Sequence, residues 1–196
     1  LRMFAYPWTA GEKGATANTV QIGNLNNTLS KHTKSLLSKS GKEVYGSCDY
    51  NLTLINRCYP DGSVVQLKDE PTFQNEKCTV SWHADSSLQH YSTIAVYHCT
   101  RPEGSGINSV ADNDVKVDYD DKSWRIALKQ YPNAEGPLAS KLKTRQSTSD
   151  GTSSTTAPPV AVPLPNQYSY FLLDDFNHNN QHSVLAGNTD RYASTH

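Results

Sequence analysis

The sequence predicts a mostly β fold, in which two sheets are flanked by a helix. Several short segments rich in Val, Ile, Tyr and Thr follow residue 49, and turns containing Gly, Pro and Asn join them. One stretch before them has its apolar residues at helical spacing instead. The length of 196 residues favours one domain with a substantial core.

One strand and one helix are expected before the main β region. Residues 3–8 form a short aromatic segment, and Pro7 stops it as a strand. Gly23 weakens the first turns of the helical pattern, so we predict the helix over residues 24–38, with Gly41 as its C-terminal stop. The helical pattern is carried by four apolar residues, Ile22, Leu25, Leu29 and Leu36.

Seven strands are predicted in the rest of the chain: 50–56, 77–82, 93–99, 123–129, 160–164, 168–173 and 183–185. Two stretches interrupt them. Residues 102–121 are acidic and Gly-rich, whereas residues 144–159 are a low-complexity run of Ser, Thr and Pro. We expect 144–159 to be a mobile insertion within one domain that spans 1–196.

Charge and cysteine usage limit the classes of function. The net charge is −1, so the molecule as a whole attracts nucleic acid weakly, and such binding needs local patches. Four cysteines without a CxxC pair indicate reduced, mostly buried thiols. The sequence has no signal peptide and no apolar run of membrane length. We expect an intracellular protein, nuclear or cytoplasmic, with no membrane partner. We also expect the sequence to be a fragment cut at both ends.

A candidate metal motif closes the predicted strand at residues 77–82. His83 and Asp85 are two residues apart, so in a strand their side chains point to the same face. A third ligand is available in the distant segment 180–187, which contains His182. Two histidines and one carboxylate are the ligands of non-haem Fe(II) oxygenases. The alternative is a half-buried histidine followed by an aspartate in a turn.

An arginine follows the distal histidine at a spacing that suits a 2-oxo acid co-substrate. Arg191 lies nine residues after His182. The 2-oxo acid end of 2-oxoglutarate chelates iron, and its far carboxylate needs a fixed cation. Arginine offers a bidentate fork for this, whereas lysine offers a point charge. The combination of His-x-Asp, a distant His and this Arg indicates a 2-oxoglutarate oxygenase more specifically than any one of these features alone.

Several blocks of the sequence, in register, resemble the AlkB family of Fe(II)/2-oxoglutarate dioxygenases, and within it the fat-mass-and-obesity-associated group of RNA demethylases. The matching positions are 1–4, 7–8, 50–56, 68–71, 80–85, 95–97, Trp124, 171–175 and 181–196. The resemblance implies a double-stranded β-helix (jelly roll) and a catalytic domain that uses Fe(II) and 2-oxoglutarate.

The resemblance also implies roles for individual residues. His83, Asp85 and His182 fall on the iron ligands, Arg191 on the clamp of the distal carboxylate, Tyr170 on its hydrogen-bonding tyrosine, and Asn56 and Thr195 on the lining of the co-substrate pocket. Each of the last three also has a structural alternative. Tyr170 suits a strand core, Asn56 suits a turn, and Thr195 suits a β-branched filler position.

The substrate is the least determined part of the resemblance. Ala84 and Ser86 fall on positions beside the Asp ligand that contact the substrate, but Ser86 stands where the family has a base-contacting Glu. A further departure concerns the co-substrate, because Ala193 replaces a serine that helps to bind it. The implied function is oxidative demethylation of N6-methyladenine or N3-methylpyrimidine in single-stranded RNA or DNA, releasing formaldehyde and succinate. The alternatives are a 2-oxoglutarate-dependent hydroxylase acting on a protein or small molecule, and a non-catalytic jelly-roll binding module.

Overall fold

The computed structural model describes residues 2–7, 17–41, 47–60, 66–74, 76–85, 92–101, 123–131, 157–173 and 176–196. In this part of the chain ten strands form two antiparallel five-stranded sheets, with one long helix beside them. The predicted mostly β fold with a flanking helix is therefore confirmed, and two such sheets agree with a jelly roll. Residues 144–156, and with them most of the expected insertion, lie outside the described residues.

The elements have the following bounds: β1 Arg2–Pro7, α1 Ala17–Ser40, β2 Leu52–Cys58, β3 Lys68–Glu70, β4 Glu76–His83, β5 Ile94–Arg101, β6 Arg125–Gln130, β7 Val160–Pro163, β8 Tyr168–Leu172, α2 Phe176–Asn179, β9 Asn180–Leu185 and β10 Asp190–Thr195. The strand order is β1-β2-β10-β5-β8 in the first sheet and β3-β4-β9-β6-β7 in the second. The last two strands of the chain therefore lie inside different sheets.

The helix α1 begins earlier than predicted, at Ala17 rather than at residue 24. Asn26 weakens an isolated helix, but here it is buried and its Nδ2 donates to the Tyr50 carbonyl at 3.1 Å. Ser30 Oγ likewise donates to the Cys48 carbonyl at 2.9 Å. These tertiary contacts compensate for the low helix propensity of the asparagine within the predicted range, and propensity is in general only a weak guide to helix bounds. The predicted stop is confirmed, because Gly41 has a φ of 63° after the last turn.

Polar contacts also connect α1 to the end of the chain. His196 is buried, and its Nδ1 lies 2.8 Å from Asn26 Oδ1 while its Nε2 lies 3.1 Å from Ser194 Oγ. An amide oxygen only accepts, so Nδ1 carries the proton and Nε2 accepts from the serine hydroxyl. Burial lowers the pKa of His196 to about 4. The imidazole is therefore neutral in the folded protein at pH 7.

This neutral histidine predicts a loss of stability in mild acid. The folded pKa lies below the unfolded value of about 6.5, so the unfolded chain binds more protons and the free energy of unfolding falls as pH drops from 6.5 towards 4. Between pH 7 and pH 5 the unchanged chain should lose about 2 kcal/mol more than His196→Asn does. Urea denaturation of both proteins at the two pH values measures this difference, and equal losses would contradict it.

The hydrophobic core lies largely between the sheets. Its main cluster joins residues of both sheets and the loops beside them: Cys58, Trp124, Ile126, Leu164 and Val184. A second cluster belongs to the first sheet and a third to the second sheet. All four cysteines are free; Cys48, Cys58 and Cys78 are buried and Cys99 is half-buried, in agreement with the predicted thiols. Within the described ranges no helix is both long and apolar enough to span a bilayer.

Candidate active site

The three predicted metal ligands meet where β4 ends against β9. His83 is the last residue of β4, and it lies opposite His182 on the neighbouring strand. Asp85 follows two residues later, with its carboxylate oxygens 3.6 Å from His83 Nε2 and 3.8 Å from His182 Nε2. One ligand atom from each residue lies within 4.8 Å of the others. A shift of register precedes His83 in β4, as is common for strands that aim side chains into a site.

Hydrogen bonding sets the orientation of the His83 ring. Its Nδ1 lies 2.7 Å from the Ser81 carbonyl oxygen, which can only accept, so Nδ1 carries the proton. The lone pair is then on Nε2, the atom that faces Asp85. This arrangement, in which one ring nitrogen donates to a carbonyl and the other is free to coordinate, is the usual one for metal-binding histidines.

The protonation of the three side chains depends on their burial and on the interactions among them. Burial alone would raise the pKa of the Asp85 carboxyl, but the interactions with His83 and His182 hold this pKa below its usual value. The Asp85 carboxylate in turn raises the pKa of His83, against the effect of burial. Burial lowers the pKa of His182 to about 4, so this imidazole is neutral at pH 7. A carboxylate beside imidazole lone pairs is a fitting environment for a divalent cation.

All the predicted ligand and co-substrate residues line one cavity between the sheets, with a volume of about 190 Å³. Its lining comes from β2, β4, β5, β8, β9 and β10: Leu54, Asn56, Cys58, Val80, His83, Asp85, Val96, Tyr170, His182, Val184, Arg191, Ala193 and Thr195. Ala84, a predicted substrate contact, is half-buried between the ligands and does not line this cavity. Ser86, the other one, lies outside the described residues.

Arg191 provides a buried positive charge in the cavity wall. Its side chain is 3% exposed, and among the described residues no carboxylate forms an ion pair with it. Its Nε donates to His98 Nδ1 at 2.8 Å, and Nη1 lies 3.7 Å from Cys58 Sγ. An uncompensated buried guanidinium is costly, so the arrangement favours an anionic ligand in the cavity.

The neighbours of Arg191 are neutral at pH 7. Burial, reinforced by the Arg191 charge, lowers the pKa of His98 to about 3, so His98 Nδ1 accepts the hydrogen bond from Arg191 Nε. Burial raises the pKa of Tyr170 to about 12, so its phenol stays protonated and can donate to a carboxylate. A ligand carboxylate near Arg191 would thus meet one cation and one hydroxyl donor.

Two residues of the site were not predicted from the sequence. His98, which orients Arg191, lies two residues after Val96 on β5 and therefore on the same face as a residue of the cavity lining. Asn177, whose amide contacts the main chain of Asp85, lies five residues before His182. The spacing of His98 from Val96, and that of Asn177 from His182, is informative only once the neighbouring site residues are known.

The donor set fits Fe(II). Two imidazoles and one carboxylate bring their ligand atoms together, and the same cavity is also lined by Arg191. Such a set leaves coordination positions open for a chelating co-substrate and for O₂. A dicarboxylate with a 2-oxo group would suit a cavity that holds both these ligands and a guanidinium.

Comparison with known proteins identifies a family that covers the whole chain. Residues 1–196 match the protein-family model described as the FTO catalytic domain. A curated relative, the alpha-ketoglutarate-dependent dioxygenase FTO of Xenopus laevis, is 29% identical over 233 aligned residues. The alignment covers 100% of this chain and 41% of that relative, so the chain spans about two fifths of the relative's length. Because the family model covers every residue, this chain belongs to the FTO catalytic domain family.

Proposed function

We propose that this domain is an Fe(II)- and 2-oxoglutarate-dependent dioxygenase that demethylates N-methylated nucleobases in single-stranded RNA or DNA. The observation that carries the proposal is the convergence of two histidines and an aspartate in the same cavity as a buried arginine without a carboxylate partner in the described part of the chain. Membership of the FTO catalytic domain family and the dioxygenase name of the Xenopus relative support it.

The polar residues at the cavity divide between two tasks, binding the metal and binding the co-substrate. His83, Asp85 and His182 would hold Fe(II). Arg191 and Tyr170 would bind the distal carboxylate of 2-oxoglutarate, and His98 keeps the Arg191 side chain in place through Nε. Asn56 and Thr195 line the co-substrate cavity beside them.

Bound iron would supply activation of O₂, coupled to the oxidative decarboxylation of 2-oxoglutarate to succinate and CO₂. The same chemistry would hydroxylate the N-methyl group of the base. The hydroxylated methyl group would then leave as formaldehyde. The protein contributes geometry and exclusion of water. Val80, Val96 and Val184 line the cavity with apolar surface, which limits access of water to the reacting groups.

A single-stranded substrate fits the charge of the chain. A base must leave its stack to reach a buried metal, at a cost of about a few kcal/mol in duplex and less in a single strand. The net charge of −1 gives little electrostatic attraction to set against that cost. As the methylated base we propose N6-methyladenine or an N3-methylpyrimidine.

The test is 2-oxoglutarate-dependent formaldehyde release from single strands that carry N6-methyladenine, N3-methyluracil or N3-methylthymine. We expect formaldehyde and succinate in equal amounts for at least one of them, and less from the same sequence in duplex. Unmethylated strands of the same sequence are the control. Succinate without formaldehyde on every strand, together with turnover stimulated by a peptide or a small molecule, would instead favour a hydroxylase.

A further inference from the structure

The Asp85 ligand lies beyond the end of its strand. Strand β4 ends at His83, so the sheet ladder does not hold the next two residues. The amide side chain of Asn177 takes over this role. Asp85 N–H donates to Asn177 Oδ1 at 2.9 Å, and Asn177 Nδ2 donates to the Asp85 carbonyl at 2.8 Å. One side chain thus satisfies both main-chain polar groups of Asp85, in the way that a neighbouring strand would.

The turn that carries Asn177 is itself anchored. Phe176 N–H donates to the Leu173 carbonyl at 3.1 Å, and Asn180 Nδ2 donates to the Phe176 carbonyl at 3.0 Å. Tyr131 N–H donates to the Asn179 carbonyl at 2.9 Å, which ties the turn to the end of β6. The Phe176 side chain packs against the buried cluster Ile94, Val96, Leu172 and Ala193.

The same short segment supplies a ligand of its own. The turn α2 leads directly into β9, so Asn177 and His182 are five residues apart on one anchored piece of chain. His83 is fixed separately by β4, where it lies opposite His182. The main chain of Asp85, in contrast, is held by its two hydrogen bonds with Asn177.

We propose that Asn177 is a positioning residue for the metal site: it sets the Asp85 carboxylate at the distance from His83 and His182 that a metal ion requires. The proposal rests on the function proposed above. Partners that orient a metal ligand without touching the metal typically contribute about ten- to a hundredfold to metal affinity. Asn177 would contribute at that level without contacting the metal or the co-substrate.

The test measures Mn(II) affinity by calorimetry, because Mn(II) takes the same ligand types and is stable in air. Asn177→Ala removes the amide, and Asn177→Leu keeps much of its volume while losing both hydrogen bonds. Each variant should raise the Kd for Mn(II) about ten- to hundredfold. Asn166 is the matched control, because its Oδ1 accepts from Thr100 N–H at 2.8 Å and it does not line the cavity. Asn166→Ala should leave the Kd unchanged.

The outcomes separate this proposal from the proposed function. If the unchanged chain fails to bind Mn(II), or His83→Ala binds it equally well, the metal site itself is wrong. If the unchanged chain binds through His83 and both Asn177 variants bind as tightly, the proposal for Asn177 is wrong. The same conclusion follows if both variants fail to fold while Asn166→Ala folds, since Asn177 would then serve the fold. Melting temperatures of the metal-free proteins distinguish these cases.

Discussion

Replacing His182 by alanine should abolish the formation of succinate from 2-oxoglutarate while the two sheets stay folded. The change removes one of three converging ligands, and the remaining pair, one imidazole and one carboxylate, holds Fe(II) weakly. We expect turnover to fall by more than about a hundredfold, because even indirect partners of a metal contribute ten- to a hundredfold. His83→Ala and Asp85→Ala should have the same effect.

Folding should survive these changes because none of the three side chains belongs to the buried hydrophobic clusters. The matched control is His32→Ala, which alters an exposed histidine of α1 and should leave turnover unchanged. Succinate formation is measured at saturating Fe(II), with thermal unfolding of each variant alongside. Full turnover in His182→Ala would remove this residue from the metal site.

Replacing Arg191 by lysine should raise the KM for 2-oxoglutarate by well over about tenfold, which corresponds to more than about 1.4 kcal/mol of binding. Lysine keeps the positive charge but loses the fork, so it cannot donate to His98 and grip a carboxylate with two parallel hydrogen bonds. Its ammonium would also be buried where the guanidinium is 3% exposed. The effect should appear in the co-substrate KM, with the affinity for Mn(II) unchanged.

Arg57 provides a matched control for this substitution. It lies on the adjacent strand β2, opposite Tyr192, and its guanidinium binds the Asp190 carboxylate outside the cavity, with Nη2 at 2.6 Å. Arg57→Lys should therefore leave the KM for 2-oxoglutarate unchanged. If Arg191→Lys behaves like this control, the carboxylate clamp lies elsewhere in the domain.

The sequence was most informative where a site residue has a local signature. His83 and Asp85 form an i, i+2 pair at a strand end, and His182 and Arg191 are linked by a spacing that suits the length of a co-substrate. Nothing in the sequence alone says that these two segments meet. The structure brings them together by pairing β4 with β9, and Arg191 then comes from β10 in the opposite sheet.

Strand β10 was missed because its pattern is not hydrophobic. Its inward residues, Arg191, Ala193 and Thr195, line the cavity and two of them are polar, whereas strand prediction depends on apolar residues that face a core. Residues of a functional site commonly break the local rule in this way. The strand is nevertheless central, because it pairs with both β2 and β5.

Long-range hydrogen bonds account for the two site residues that were not predicted. Asn177 and Asp85 are 92 residues apart in the chain, and His98 and Arg191 are 93 residues apart. An asparagine before a strand and a histidine within one each have ordinary explanations, so neither stands out by itself. A long-range contact also supports α1 within its predicted range, since the partner of Asn26, Tyr50, lies 24 residues away.

The central claim is that the metal and the co-substrate's carboxylate are bound at two ends of one cavity, and calorimetric titration of 2-oxoglutarate tests it most directly. With Mn(II) present, we predict one molecule bound per chain, at least about tenfold more tightly than without the metal. This gain should disappear in Asp85→Ala, and binding should weaken in Arg191→Lys but not in Arg57→Lys. Equal affinity with and without Mn(II), or full binding in both Asp85→Ala and Arg191→Lys, would contradict the account.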